Sequence, residues 1–304
     1  MKIDAVVVTY NRLGKLQECL KSLAKMELKN IHVINNHSND GTEDYLKELG
    51  NEMKNLLVYN LKENLGGAGG FNLGMKKFMA NSDSDFVWIM DDDTIPNRDS
   101  LTKLMTEFLK IPKKQRGFAI GQTYWTDGSL TKMNLPVYSP NQSLATNNVR
   151  YVDQASFVAI VFPREVIQSI GLPISDFFIW GDDVEYTERI IKKGFKGIQV
   201  LNATILHKMA ANNRTNIIGE NSDKNRIERY FYDFRNRIYL SKQKGMSDYI
   251  RTLLGRIVWM IKIIFSKTSH KFLKLKVLLK GTMAGIFFNP LIETVDISGK
   301  IERK

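Results

Sequence analysis

Four short apolar runs, each closed by a polar cluster and followed by a helix-period pattern, constrain this chain more than any other feature. Ile3 to Thr9, Ile31 to Ile34, Leu56 to Leu61 and Phe86 to Met90 contain stretches such as Val6-Val7-Val8 and Phe86-Val87-Trp88-Ile89-Met90. Runs this short, without polar alternation, predict strands buried on both faces. Between them Leu13, Leu16, Leu20 and Leu23 recur at helical spacing, a helix begins near Glu43, and another spans about Ala68 to Ala80 behind a glycine-rich turn. Strands alternating with helices predict an α/β fold: a mainly parallel sheet with helices on both faces. In such sheets ligands bind beyond the carboxyl ends of the strands. Tyr10-Asn11-Arg12, Asn35 to Thr42, Asn64 to Asn72 and Asp91-Asp92-Asp93 all fall at such ends.

Further along, Leu101 to Leu109 reads as a helix and Phe118 to Gln122 as a strand. The polar stretch Tyr124 to Arg150 reads as a loop or hairpin region, and Phe177 to Trp180 as a short strand or the approach to one. Asp182 to Lys193 is a helix closed by Gly194, and Ile198 to Ile205 a final strand leading to His207.

Charge marks a second region. The 304 residues hold 44 Lys and Arg against 32 Asp and Glu, a net +12. Positions 223 to 280 hold 15 of those cations and only four acids, so nearly the whole excess lies there. The shift predicts a catalytic domain over 1–215 and a basic helical segment over 216–304. Leu253, Leu254, Ile257, Val258, Trp259, Ile261, Ile264 and Phe265 alternate with the cations, as do Phe272, Leu273, Leu275, Val277 and Leu278. That pattern describes amphipathic helices lying in an anionic membrane interface. The alternative is a homo-oligomer interface anchored by Trp259 and Phe265. No zinc-finger or RNP signature accompanies the charge, so nucleic acid is not the expected partner. Ile257 to Phe265 is interrupted by Lys262 and too short to span a bilayer. The single cysteine, Cys19, excludes an intramolecular disulfide and suits a reducing compartment. No secretory signal opens the chain. The expectation is a cytoplasmic protein, peripheral on the inner face of the cell membrane.

Three clusters carry chemistry. Asp91 and Asp93, two apart on an extended segment, point the same way and can converge on one hard divalent cation together with substrate phosphate. The glycines of Asn64-Leu65-Gly66-Gly67-Ala68-Gly69-Gly70 open a helix, where backbone can approach a phosphate closely. Trp180-Gly181-Asp182-Asp183-Val184-Glu185 runs an apolar wall into three carboxylates, one of which can serve as a general base. His207 arrives at the same sheet edge as the aspartates, completing an oxygen and nitrogen donor set that suits Mn²⁺ or Mg²⁺.

In this order the motifs resemble inverting glycosyltransferases of family 2, with the GT-A fold. The resemblance rests on Val7 to Arg12, Asn36 to Thr42, Asn64 to Asn72, Asp91 to Asp93 and Trp180 to Glu185, and covers roughly residues 3 to 210. The glycine-rich block with Phe71, the triple Asp and the Trp-x-Asp-Asp-x-Glu pattern are most similar to the galactofuranosyl- and rhamnosyltransferase branches. The resemblance implies that Thr9, Tyr10, Arg12, Asn36, Asn64, Gly66, Gly67, Asp91 and Asp92 line the nucleotide-sugar site. It further implies that Asp91, Asp93 and His207 hold the metal and that Asp183 is the base. The implied reaction moves galactofuranose, or another hexose or deoxyhexose, from a nucleotide diphosphate sugar to a glycan or lipid-linked acceptor in cell-surface glycan synthesis. The implied donor is a UDP-sugar, with a dTDP-sugar as the other option. Competing expectations are a nucleotidyltransferase and a non-catalytic nucleotide-sugar-binding protein.

Overall fold

A computed structural model describes residues 1–212, 216–221, 223–295 and 301–303. In chain order the first part runs β1 (Ile3–Thr9), α1 (Leu13–Leu23), β2 (Ile31–Asn35), α2 (Thr42–Glu52), β3 (Leu56–Asn60), α3 (Gly66–Asn81), β4 (Phe86–Asp91) and β5 (Thr94–Pro96). It continues through α4 (Ser100–Phe108), β6 (Arg116–Tyr124), β7 (Val137–Tyr138), β8 (Val149–Gln154), β9 (Ile160–Pro163), α5 (Arg164–Ile170), α6 (Asp182–Lys192) and β10 (Lys196–His207). These strands form one sheet in the order β3-β2-β1-β4-β9-β6-β10-β8-β7, with β5 paired to β10.

The sheet is mixed around a parallel core. β1 pairs parallel with β2 and β4, β2 with β3, and β10 with β6. Antiparallel β9 lies between β4 and β6, so both of those strands run the same way. The carboxyl ends of β1, β2, β3, β4, β6 and β10 therefore share one edge. Period-two alternation sorts the strand residues onto two faces. Ala5, Val7, Trp88 and Met90 pack with Leu16, Leu20 and Leu23 of α1 and Leu104 and Phe108 of α4. Val6, Val8, Val87 and Ile89 pack with Phe71, Met75 and Phe78 of α3 and Tyr186 and Ile190 of α6. Strands covered on both sides explain why the sequence shows unbroken apolar runs.

Two expectations need correcting. The glycine-rich block opens a helix as expected, but α3 begins at Gly66 rather than near Ala68, so most of the glycines belong to its first turns. A Cβ on Gly70 would come within 2.5 Å of Val8 Cγ1, and one on Gly74 within 2.3 Å of Val6 Cγ1. These glycines let α3 lie close against β1. Phe177 to Trp180 is not a strand either: a 3₁₀ turn, Ser175–Phe177, leads into Phe178 and Trp180, both with positive φ (63° and 65°).

The chain divides into two compact units. The first comprises residues 1–175, 183–213 and 292–304, and the second 176–182 and 214–291. The second unit thus takes in the short segment before α6, and the first takes back the C-terminal residues that include β11 (Glu293–Val295) and β12 (Ile301–Arg303). The helices of the second unit are α7 (Lys224–Lys244), α8 (Met246–Phe265) and α9 (Lys271–Phe287). Their core holds Ile227, Tyr230, Phe234, Ile263, Val277 and Leu278, with Trp259 packed against it. Phe265 is 81% exposed. Among the described residues, no helix is long and apolar enough to cross a membrane.

Candidate active site

Asp91, Asp93 and His207 each offer a ligand atom within 4.8 Å of the others. They meet because β4 ends at Asp91, β5 turns back directly after Asp93, and β5 pairs antiparallel with the end of β10, in the register His207 opposite Thr94. His207 Nε2 lies 3.0 Å from Asp93 Oδ1, and its Nδ1 lies 3.1 Å from Asn134 Oδ1. As it stands Nε2–H donates to Asp93; with an ion bound, an Nδ1–H donated to Asn134 would free the Nε2 lone pair to serve as a ligand. Arg12 Nη1 approaches Asp93 Oδ2 at 3.0 Å, and Lys15 Nζ approaches the same oxygen at 3.4 Å. Burial alone would raise the Asp93 pKa, but His207, Arg12 and Lys15 together hold it well below the usual carboxylate range.

These residues fit a hard or borderline divalent ion. The donor set is two carboxylates and one imidazole, the ligand atoms are close enough to share one ion, and Asp93 is buried as a carboxylate. Thr94, opposite His207 in an antiparallel register, projects from the same face, and its buried hydroxyl has no hydrogen-bond partner.

The other predicted residues sit along the same edge, several of them occupied. Asp92 turns away from the cluster: its carboxylate accepts from the Thr9 hydroxyl at 2.8 Å and from the Tyr10 amide at 3.4 Å. Burial pushes its pKa up to about 6, against the pull of Arg12 and with a push from Asp93. Thr9 is thus a buried support for the aspartate triplet, while Tyr10 and Arg12 stay open to solvent. Asn36 is buried and ties β2 to α3, accepting from the Leu65 amide at 2.8 Å and donating to the Gly66 carbonyl at 2.9 Å. Asn64 accepts from the Gly66 amide at 2.8 Å. Gly67 has nothing within 4 Å of where a Cβ would stand, so open space remains at the start of α3. Cys19 is fully buried and its thiol is pushed well up by burial and the nearby aspartates, so it is no nucleophile.

Asp183 is half-buried in the first turn of α6. Only Lys193 to Phe195 separate α6 from β10, and Ile190 lies against Gly117 at the start of β6. The helix therefore runs back along the sheet, and its amino-terminal turn is directed to the edge where β10 ends in His207. Glu185 differs from its motif neighbours: it forms a bidentate pair with Arg189 at 2.9 and 2.8 Å. Arg189 also donates to the carbonyls of Ile170 and Leu172, so Glu185 anchors α6.

Three contributors were not anticipated. Lys15, one turn beyond Arg12, had a signal in that spacing. Asn134 lies in a polar loop and shows its role only through its contact with His207. Asn236, buried in α7, donates to the carbonyls of Phe177, Ile179 and Trp180 at 3.0, 3.1 and 2.8 Å, a contact within the second unit.

Residues 4–162 match the family model described as glycosyl transferase family 2. The galactofuranosyltransferase GlfT1 of Mycolicibacterium smegmatis is 25% identical over 275 residues, covering 84% of this chain and 88% of that protein. Among solved structures, GalNAc-T7 with UDP, GalNAc and Mn²⁺ superposes with a TM-score of 0.58 at 14% identity, over 78% of this chain and 50% of that one. The mannosyltransferase PcManGT from Pyrobaculum calidifontis, in complex with GDP-Man and Mn²⁺, gives 0.53 at 13% identity, over 94% and 87%.

Proposed function

This chain belongs to glycosyltransferase family 2, and from that premise we propose that it is a metal-dependent inverting enzyme using a nucleotide diphosphate sugar. Its fold is α/β, of the GT-A type, and it is a glycosyltransferase. The donor is a UDP-sugar carrying galactofuranose or another hexose, a reading supported by the likeness to GlfT1. The acceptor is a glycan or lipid-linked sugar at the inner face of the cell membrane.

The observation that carries this reading is the convergence of Asp91, Asp93 and His207 at the edge to which α6 directs Asp183. Mn²⁺ or Mg²⁺ held by those three residues would offset the negative charge that grows on the leaving diphosphate. Arg12 and Lys15, already drawn to Asp93, place two further cations beside that leaving group. The amino-terminal turn of α3, open at Gly67, can offer backbone N–H groups to phosphate. Asp183 takes the proton from the acceptor hydroxyl, whose oxygen attacks the anomeric carbon from the face opposite the departing nucleotide.

General-base assistance is worth ~10²–10⁴-fold, so Asp183→Asn should lose that much turnover while donor affinity, measured by calorimetry with Mn²⁺, stays near wild type. Near-normal turnover in that variant would remove Asp183 from the role. Release of pyrophosphate instead of nucleoside diphosphate would replace the whole reading with nucleotidyl transfer.

A further inference from the structure

The second unit contains a cavity of about 110 Å³ whose lining includes Tyr230, Asp233, Phe234, Arg237, Arg256 and Trp259. Arg256, on α8, is only 7% exposed, and its Nε and Nη2 atoms are buried with no hydrogen-bond partner. Two partly buried arginines of this fold do not share that condition. Arg164 donates to the carbonyls of Phe78, Met79, Ser82 and Ser84, and Arg189 to two carbonyls and a carboxylate. Asp233 is engaged by Arg237, whose Nε lies 2.7 Å from its Oδ1. The Arg256 guanidinium stacks over Phe234, its Cζ 4.9 Å from the ring centroid, and burial, opposed by the Asp233 carboxylate and helped by Arg237, drives its pKa down to about 10. Nε and Nη2 form one edge of the guanidinium fork, the pair that grips two oxygens of a single anion side by side. A desolvated fork edge that has no hydrogen-bond partner and opens on a cavity calls for an oxyanion.

The surroundings say what carries that anion. On the other side of α8, Ile250, Leu254, Ile257, Val258, Ile261 and Ile264 form a stripe, each roughly half exposed. Arg237, at the cavity, is itself 58% exposed along its side chain, so the lining reaches the surface.

We propose that this cavity binds the phosphate group of a membrane lipid, with the Nε–Nη2 edge of Arg256 on the phosphate oxygens and the apolar stripe of α8 in the bilayer interface. The inference rests on the membrane reading above only for the source of the phosphate. It does not depend on the transfer chemistry.

The test uses the full chain and phosphatidylcholine vesicles doped with either phosphatidic acid or, at equal surface charge, a fatty acid. Wild type should prefer phosphatidic acid, and Arg256→Lys and Arg256→Met should each lose roughly tenfold in affinity for it, as for one lost bidentate contact. Both variants should bind fatty-acid vesicles as wild type does. Removing a buried charge whose Nε–Nη2 edge makes no hydrogen bond should leave the melting temperature of Arg256→Met unchanged or higher. Should that variant fail to fold, the Lys variant and a second readout decide: short-chain phosphatidic acid should raise the wild-type melting temperature, and inorganic phosphate at equal concentration should not. Equal vesicle binding by Arg256→Lys and wild type would overturn this inference alone. Equal thermal shifts from inorganic phosphate would make the cavity a free-anion site and overturn the lipid assignment. Failure of wild type to bind any anionic vesicle would overturn the membrane reading and this inference together.

Discussion

His207 carries its ring between Asp93 on one nitrogen and Asn134 on the other, at 3.0 and 3.1 Å. An imidazole held by an outer hydrogen bond is fixed in tautomer and orientation, and losing such a partner typically costs ~10–100-fold in metal affinity. Asn134→Ala should therefore weaken Mn²⁺ binding by that factor in a direct titration, with the melting temperature of the metal-free protein little changed. Unaltered Mn²⁺ affinity would make Asn134 a loop contact only. A second residue-scale prediction concerns acid stability. Asp4 is fully buried and is bonded by His32 Nε2 at 2.9 Å, Ser84 Oγ at 2.6 Å and Asn30 Nδ2 at 3.0 Å. Burial raises its pKa, but those hydrogen bonds, led by that of His32, outweigh it and the net shift is below 3.8. A carboxylate with a depressed folded pKa stabilises fully above the unfolded value and loses that contribution as pH falls through the folded one. Asp4→Asn should cost about 3 kcal/mol at pH 7, the low end for breaking a buried pair. In urea unfolding, its stability should also decline less than that of wild type below about pH 4. Parallel acid profiles for the two proteins would contradict the assignment.

At the scale of elements, α3 against β1 offers the sharpest contrast. Gly70 and Gly74, one turn apart, face Val8 and Val6, two residues apart on the strand, so the helix and strand periods meet in register. Gly70→Ala should force the pair apart and cost ~1–3 kcal/mol, as overpacking does. Gly67→Ala meets open space and removes a helical glycine, so it should be neutral or stabilise by up to ~1 kcal/mol. If Gly67 borders the nucleotide, that same variant should weaken donor binding without loss of stability. Thermal melts of the two variants check the first claim, and donor titration checks the second. This contrast also marks what the sequence could reveal. The strands and their polar ends were legible because double burial leaves unbroken apolar runs, and Asp91 and Asp93 could be placed because they follow one. The spacing of Gly66, Gly70 and Gly74, four residues apart, is a helix-packing signal, but beside Asn64 it reads equally well as a phosphate turn. The positive φ of Phe178 and Trp180 has no local signature, since bulky residues disfavour it. Asn236 sits far along the chain from the carbonyls that hold it, and no periodicity announces such a contact.

For the whole molecule, the basic excess and much of the exposed apolar surface fall in the helices of the second unit. Most of the large exposed apolar residues of α8 and α9, including Ile257, Ile261, Phe265 and Phe272, lie in the stretch that also carries the basic excess. Exposed apolar area this extensive marks an interaction surface rather than ordinary solvent-facing scatter. Two forces would then act together on an anionic bilayer. Cations near the surface contribute ~1 kcal/mol each and are screened by salt, whereas apolar insertion is not. Ile261→Glu places a charge at a position that is half exposed, so the fold should tolerate it and donor hydrolysis in solution should stay at the wild-type level. Its binding to phosphatidylglycerol vesicles should fall by at least roughly tenfold, since inserting a carboxylate near the bilayer costs more than 1.4 kcal/mol. Raising salt should weaken both proteins and leave the gap between them. A gap that closes at high salt would mean that charge alone holds the protein to the vesicle, and α8 would then be read as a contact for another protein surface.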